Sequence, residues 1–304
     1  MKAPPFKASL LHPKHWPTWL CVGLLRLLCL LPIPLQIAIG EGLGTLTGRL
    51  LKRRREVVRI NLKLCFPELS ESEREKLVDE HFKALGVGVF EAGLAWWASD
   101  ASLRARGEVV GLEHLDAAIA SGDGVILLTG HFTTLEIGAR FVALQDRNFH
   151  VMYRPYSNAV ADWFLHHFRQ RGSRLPALAR DELRPLVRAL REGRAIWYAP
   201  DQTLDPKHSV FVPFFGVATQ TITGTSRLAS MGRAKVVPYF PSRENGRWRI
   251  TFFPALENFP TDDERADAAR INAVIEQGVR IAPAQYFWVH RRFKYRPPGE
   301  PNIY

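Results

Sequence analysis

Cysteine and acidic side chains are scarce in this chain of 304 residues. Three cysteines occur, Cys21, Cys29 and Cys65, and none forms a C-x-x-C pair. That number and spacing exclude a disulfide framework and a zinc ribbon, and make a reducing compartment the default. Asp and Glu number 30 against 41 Lys and Arg, a formal charge of +11. Such an excess favours a polyanionic partner: nucleic acid, an anionic membrane face or a phosphorylated substrate. Several signatures are also missing. There is no G-x-x-x-x-G-K-[ST] loop, no G-x-S-x-G elbow and no H-E-x-x-H. Gly40-Glu41-Gly42-Leu43-Gly44 follows no strand and breaks the last spacing of the dinucleotide fingerprint. No helix-turn-helix, zinc-finger or RNA-recognition pattern supports a nucleic-acid partner. What remains is 46% hydrophobic and 23% charged, which excludes a disordered or collagen-like chain.

Between Trp16 and Gly40 the only charge is Arg26. The run Leu20–Leu31 is apolar, and about 20 such residues cross a bilayer core. Arg26 interrupts the run and Pro32 and Pro34 break a helix near its end. Lys2, Lys7 and Lys14 precede it and Lys52, Arg53, Arg54 and Arg55 follow, so positive charge orients it poorly. The segment reads as a membrane anchor, spanning the bilayer or lying in its interface, or else as a buried helix. No A-x-A-like site follows it, which argues against a cleaved signal peptide.

Beyond it, residues 68–80 are strongly charged, with Ser70 and Ser72 as candidate helix caps. The helix runs on past Phe82, Leu85 and Phe90. Gly86, Gly88 and Gly93 within it suggest close helix packing. From residue 110 helices and strands alternate. Gly124–Thr129 and Ala195–Ala199 are short apolar runs, as buried strands are. Further strands fall at His150–Tyr153, Lys235–Phe240 and Trp248–Phe253. Helices fall at Leu112–Ala120, Thr133–Leu144, Ala159–Arg171, Asp181–Arg191, Thr223–Met231 and Arg265–Ile281. This order predicts an α/β fold with a mixed, mostly parallel sheet flanked by helices. The expected organisation is a basic segment and anchor over 1–45 and one domain over 46–304.

The strand Gly124–Thr129 runs into Gly130-His131-Phe132-Thr133-Thr134-Leu135-Glu136. Ligands of α/β sheets bind outside the carboxyl ends of strands. On one helix, positions five apart diverge by about 140°. His131 and Glu136 therefore meet only if His131 precedes the helix and folds back over its start. In that arrangement Glu136 orients an imidazole that acts as general base. No Ser or Cys nucleophile is needed if the substrate brings its own hydroxyl. The competing explanation is local: Thr133-Thr134-Leu135-Glu136 is a T-x-x-E capping box.

Other blocks accompany this one: Tyr153-Arg154-Pro155, Ala199-Pro200-Asp201-Gln202, Ser209–Val217 (SVFVPFFGV), Thr223-Gly224-Thr225, Val236-Val237-Pro238 and Gln285–Lys294 (QYFWVHRRFK). With GHFTTLE, an HX4E signature, they resemble the lipid A biosynthesis late acyltransferases of Gram-negative bacteria over nearly the whole chain. The resemblance implies a glycerol-phosphate-acyltransferase-like fold with an N-terminal membrane-anchoring helix. It implies transfer of a lauroyl or myristoyl chain from acyl carrier protein to a hydroxyl of a 3-hydroxyacyl group on a Kdo-bearing lipid A precursor. It places the catalytic domain at the cytoplasmic face of the inner membrane and requires no metal or organic cofactor. His131 and Glu136 are then the catalytic pair. Arg169, with Arg171 as the fallback, Arg154 and Asp201 are the substrate-binding positions. Alternatives are a glycolipid or lysophospholipid acceptor, and a non-enzymatic, membrane-tethered polyanion binder. Phe211, Phe214 and Phe215 line an acyl slot or are plain core. Arg291, Arg292, Lys294 and Arg296 meet phosphate or form a solvated basic patch.

Overall fold

The apolar run at residue 124 is the middle strand of a seven-stranded sheet, in a computed structural model that describes residues 5–202 and 208–304, the side chains of residues 171 and 172 excepted. All five residues of this strand, β2 (Gly124–Leu128), are buried. Its neighbours are β5 (Ala195–Tyr198) and β8 (Ala234–Glu244), both parallel to it. β5 continues to β3 (Phe149–Tyr153) and β4 (Leu178–Ala179). β8 pairs antiparallel with β9 (Arg247–Phe252), which carries β1 (Gly107–Val110) on its far edge. The sheet is mixed and mostly parallel, as the alternation of elements predicts.

Alternate residues of the central strands enter two cores. Ile126, Leu128, Ile196 and Val236 point into one. Val125, Leu127, Trp197 and Val237 point into the other. A strand buried on both faces needs no polar positions, which explains the unbroken apolar runs. The first core is closed by α3 (Lys52–Cys65), the first part of α4 (Glu71–Trp97), α9 (Leu183–Arg191), α10 (Gly224–Gly232) and α11 (Glu264–Ile281). The second is closed by the end of α4 with α5 (Asp100–Arg104), α6 (Leu112–Ala120) and α7 (Leu135–Leu144). α8 (Ala159–Ser173) follows β3. Of the two candidate caps for α4, Ser70 is the one used: its hydroxyl accepts from Glu73 N–H, and the Glu73 carboxylate accepts from Ser70 N–H.

A hairpin of β6 (Ser209–Phe214) and β7 (Val217–Ile222) stands apart from the sheet. Its two-residue turn, Phe215-Gly216, has positive φ at both positions, the type I′ geometry that matches strand twist. Phe214 is fully buried in the first core, 6.1 Å from the Tyr286 ring. It is part of the core.

The N-terminal apolar stretch is two helices, not one. α1 (Trp16–Leu28) has 13 residues and α2 (Ile33–Leu50) has 18, with Pro32 and Pro34 at the break. At 1.5 Å per residue α1 reaches about 20 Å, short of the roughly 30 Å hydrocarbon core. No helix among the described residues is long and apolar enough to cross a membrane. Residue 45 falls inside α2, which lies along α4. Their contact is built on glycine. A Cβ on Gly86 would run into the Gly40 carbonyl, and one on Gly44 into the Phe82 carbonyl. Elsewhere on α4, a Cβ on Gly93 would run into Cys29 Sγ after α1, and one on Gly88 would come within 3.0 Å of the Thr133 carbonyl. The Arg26 guanidinium lies 5.5 Å from the Trp97 ring centroid, a cation–π contact from α1 to the end of α4.

Candidate active site

Because β2 and β5 are neighbours and parallel, the loops leaving their carboxyl ends emerge side by side. The loop after β2 carries His131 and the loop after β5 carries Asp201. His131 Nδ1 lies 2.5 Å from Asp201 Oδ1, and the His131 backbone N–H donates to Asp201 Oδ2 at 2.8 Å. The Asp201 side chain is 2% exposed and the His131 side chain 29%. Burial pushes the Asp201 carboxyl up, but the His131 ring, its backbone N–H and the Tyr286 hydroxyl together hold it down to about 2. Asp201 is thus ionised and can only accept. Nδ1 of His131 must then carry the hydrogen, which leaves the Nε2 lone pair available.

A third segment fixes the loop. Thr133 N–H donates to the Gln285 carbonyl at 2.7 Å, and Phe287 N–H donates to the His131 carbonyl at 2.9 Å. Phe132 and Tyr286 form the bridge between them. Tyr286 is buried among Phe132, Phe214 and Trp288, and its hydroxyl donates to Asp201. Burial and the Asp201 charge both raise its pKa, so the phenol stays protonated.

Glu136 sits in the first turn of α7, as expected, but its carboxylate does not hold His131. It accepts from Arg169 Nε at 3.0 and 3.3 Å and from a terminal nitrogen of the same guanidinium. The helix start explains the correction. The T-x-x-E box needs Thr133 as the cap, but α7 starts one residue later, with Thr134 before it, and the Thr133 hydroxyl has no hydrogen-bond partner among the described residues. The Thr134 hydroxyl donates to the Pro241 carbonyl at 3.0 Å, so the capping box does not form, and Glu136 turns to α8. Arg169 packs 5.7 Å from the Trp197 ring centroid. Burial disfavours its charge, but Glu136 and Tyr156 override that and raise its pKa. The two side chains are 13% and 17% exposed, so this pair is largely shielded.

The remaining expected positions fall as follows. Arg154 is exposed just past β3 and makes no ion pair among the described residues. The Arg171 side chain lies outside the described residues. Arg292 is not part of a surface patch. It is 2% exposed, with its terminal nitrogens donating to the Gln220 carbonyl at 2.7 Å, Thr221 Oγ1 at 3.1 Å and Asn272 Oδ1 at 3.2 Å. His290 lines the same narrow cavity as His131, Asp201 and Tyr286. Burial pushes its imidazole down to about 4, with Arg292 adding to the effect and Asp201 opposing it. Tyr286, His290 and Arg292 all lie in the block 285–294, whose residues give no spacing signal of their own. Among the described residues no cluster of His, Cys, Asp and Glu could hold a metal ion.

This arrangement suits proton transfer from a bound hydroxyl. The family model for bacterial lipid A biosynthesis acyltransferase matches residues 3–295. The chain is 42% identical over 304 residues to the lipid A biosynthesis lauroyltransferase of Escherichia coli (strain K12), covering 99% of each. It is 38% identical over 302 residues to the palmitoleoyltransferase of the same organism, covering 98% of each. It is 34% identical over 304 residues to that organism's myristoyltransferase, covering 99% of this chain and 94% of the relative. Among solved structures, the 1-acyl-sn-glycerophosphate acyltransferase PlsC from Thermotoga maritima aligns with 79% of this chain and 99% of its own, at 11% identity and a TM-score of 0.38. The chain belongs to the bacterial lipid A biosynthesis acyltransferase family and is an O-acyltransferase of lipid A assembly.

Proposed function

We propose that this enzyme moves a lauroyl or myristoyl chain from acyl carrier protein to a hydroxyl of a 3-hydroxyacyl group on a Kdo-bearing lipid A precursor. His131 is the general base. Its Nε2 takes the proton of the acceptor hydroxyl as the oxygen attacks the thioester carbonyl. The tetrahedral oxyanion then collapses, the C–S bond breaks, and the imidazolium returns the proton to the departing thiolate. Asp201 holds the ring in the productive tautomer and offsets the positive charge that forms on it. Such general-base help is worth roughly 10²–10⁴ in rate. The observation that supports this reading most is the His131–Asp201 contact at the adjoining ends of β2 and β5.

Glu136 and Arg169 act as a second unit, at the start of the helix that follows the His131 loop. The carboxylate fixes the guanidinium, whose charge and planar donors suit the oxyanion or a substrate phosphate. Arg154, exposed at the same end of the sheet, adds a second cation for an anionic acceptor.

The protein works at the cytoplasmic face of the inner membrane, held by α1 and α2 lying in the interface. On α1, Trp16, Leu20, Leu24 and Leu27 are exposed and fall within an arc of about 80° at 100° per residue. On α2, Leu35, Leu43, Leu46 and Leu50 do the same. Leu20 and Leu50 are 72% and 69% exposed. Two apolar stripes beside a basic surface match an interfacial helix pair. An assay with acyl carrier protein donors and defined lipid acceptors tests the reaction. Transfer to lysophospholipids or glycolipids, but not to the Kdo-bearing precursor, contradicts the acceptor assigned here.

A further inference from the structure

On α2 the leucine stripe faces away from α4, and the glycines Gly40, Gly44 and Gly48 face it. Beside the stripe, where α2 ends and α3 begins, a cleft of about 740 Å³ opens between these helices and α4. Its lining includes Arg49, Lys52, Arg55, Arg59 and Lys83, against the two carboxylates Glu56 and Asp79. The cations differ in what they do. Arg55 is committed to Glu75 at 3.1 Å and to Asp79 at 2.7 Å, and Arg59 to Glu75 at 2.5 Å. These pairs brace one wall. Arg49, Lys52 and Lys83 are exposed and make no ion pair among the described residues.

Three uncommitted cations around one concavity, on the helix that carries the exposed leucines, call for an anion at the level of the bilayer surface. We propose that this cleft seats the phosphate of an anionic phospholipid headgroup, while the leucine stripes of α1 and α2 enter the acyl region beside it. The inference rests on the interfacial placement proposed above and adds the ligand class and the residues that meet it. Charge selects the occupant, because a zwitterionic headgroup offers the same phosphate with its charge cancelled. Apolar burial and headgroup attraction then act together, each cation near an anionic surface adding about 1 kcal/mol.

The test uses the full chain and vesicles of phosphatidylcholine with and without phosphatidylglycerol. The cleft variant R49Q/K52Q/K83Q is compared with a charge-matched control, R184Q/R188Q/R247Q, at exposed arginines of α9 and the start of β9. The unsubstituted protein is expected to bind neutral vesicles and to bind phosphatidylglycerol vesicles far more tightly. The cleft variant should keep the neutral binding and lose roughly 100-fold of the enhancement, with the control little changed. Enhancement retained in the cleft variant, or lost equally in both, overturns the site. A raised KM for acyl carrier protein in detergent, with vesicle binding unaltered, also overturns it and assigns the cleft to the donor protein. Failure of the unsubstituted protein to bind neutral vesicles contradicts the interfacial placement itself, a result separable from the others. Melting curves and turnover in detergent, expected to match the unsubstituted protein, show that the variants are folded.

Discussion

His131 Nδ1 lies 2.5 Å from Asp201 Oδ1, across 70 residues of sequence, because the strands that precede them are parallel neighbours. Glu136, five positions from His131, is bonded instead to Arg169. Closeness in sequence and contact between side chains are therefore separate matters in this site. His131→Ala is expected to lower kcat by about 10²–10⁴. Asp201→Asn keeps the shape but removes the ionised acceptor, so it should fall in the same range. Single-turnover rates check this; a rate within twofold of the unsubstituted enzyme in either variant removes the assigned roles.

The sheet, its mostly parallel order and nearly every helix after residue 110 are legible in the sequence. The reason is physical: strands buried on both faces read as short apolar runs, and amphipathic helices separate them. Several things are not legible. β1 and β4 are four and two residues long, too short for a pattern in the residues to stand out, and the β6–β7 hairpin is not foreseen either. The Glu136–Arg169 pair and the His131–Asp201 pair depend on which strands and helices lie side by side, which spacing does not encode. Arg292 looks like one of a run of surface cations, yet hydrogen bonds to Gln220, Thr221 and Asn272 let it sit inside.

Glu136 and Arg169 should behave as one unit. Glu136→Gln and Arg169→Gln are each expected to lower turnover at least tenfold, and the double variant little further, because residues in contact do not add. Initial rates of the four proteins in a double-mutant cycle measure this. Full additivity of the two losses means that the residues act independently.

Tyr286 supports Asp201 through one hydroxyl. Tyr286→Phe leaves the packing against Phe132, Phe214 and Trp288 and removes only that donor. The expected outcome is a several-fold lower kcat, from about 1 kcal/mol of lost hydrogen bonding, with KM unchanged. A shift in the pH dependence of kcat should accompany it. A lowered melting temperature with kcat intact identifies the hydroxyl as merely structural.

The α2–α4 contact depends on the absence of side chains. Gly86→Ala gains roughly 1 kcal/mol of helix propensity but drives a methyl into the Gly40 carbonyl. Overpacking of this kind costs about 1–3 kcal/mol, and backbone offers little room to yield. A lower melting temperature in detergent is expected; an unchanged or higher one contradicts the packing described.

Acid should destabilise the fold before the carboxylates are protonated. Burial pushes His81 down to about 4, and His290 likewise. Between their ordinary value near 6.5 and that lowered value, the unfolded chain binds protons that the native one does not. Stability therefore falls as pH drops through this window. For His81, fully buried with Nδ1 on the Ala284 carbonyl at 2.9 Å, the loss reaches about 3 kcal/mol. Denaturant titrations from pH 7 to pH 4 should show the decline, and His81→Gln, which keeps a donor to Ala284, should flatten it. An equally steep decline in that variant rules His81 out as a source.

The most direct measurement is the mass of the product. Purified protein in detergent is given acyl carrier protein loaded with lauroyl or myristoyl chains and a tetra-acylated, Kdo-bearing lipid A precursor. The account predicts a gain of one acyl chain, strongly reduced in Asp201→Asn and in His131→Ala while both variants remain folded. An undiminished gain in those variants, or no gain with folded unsubstituted enzyme, contradicts it.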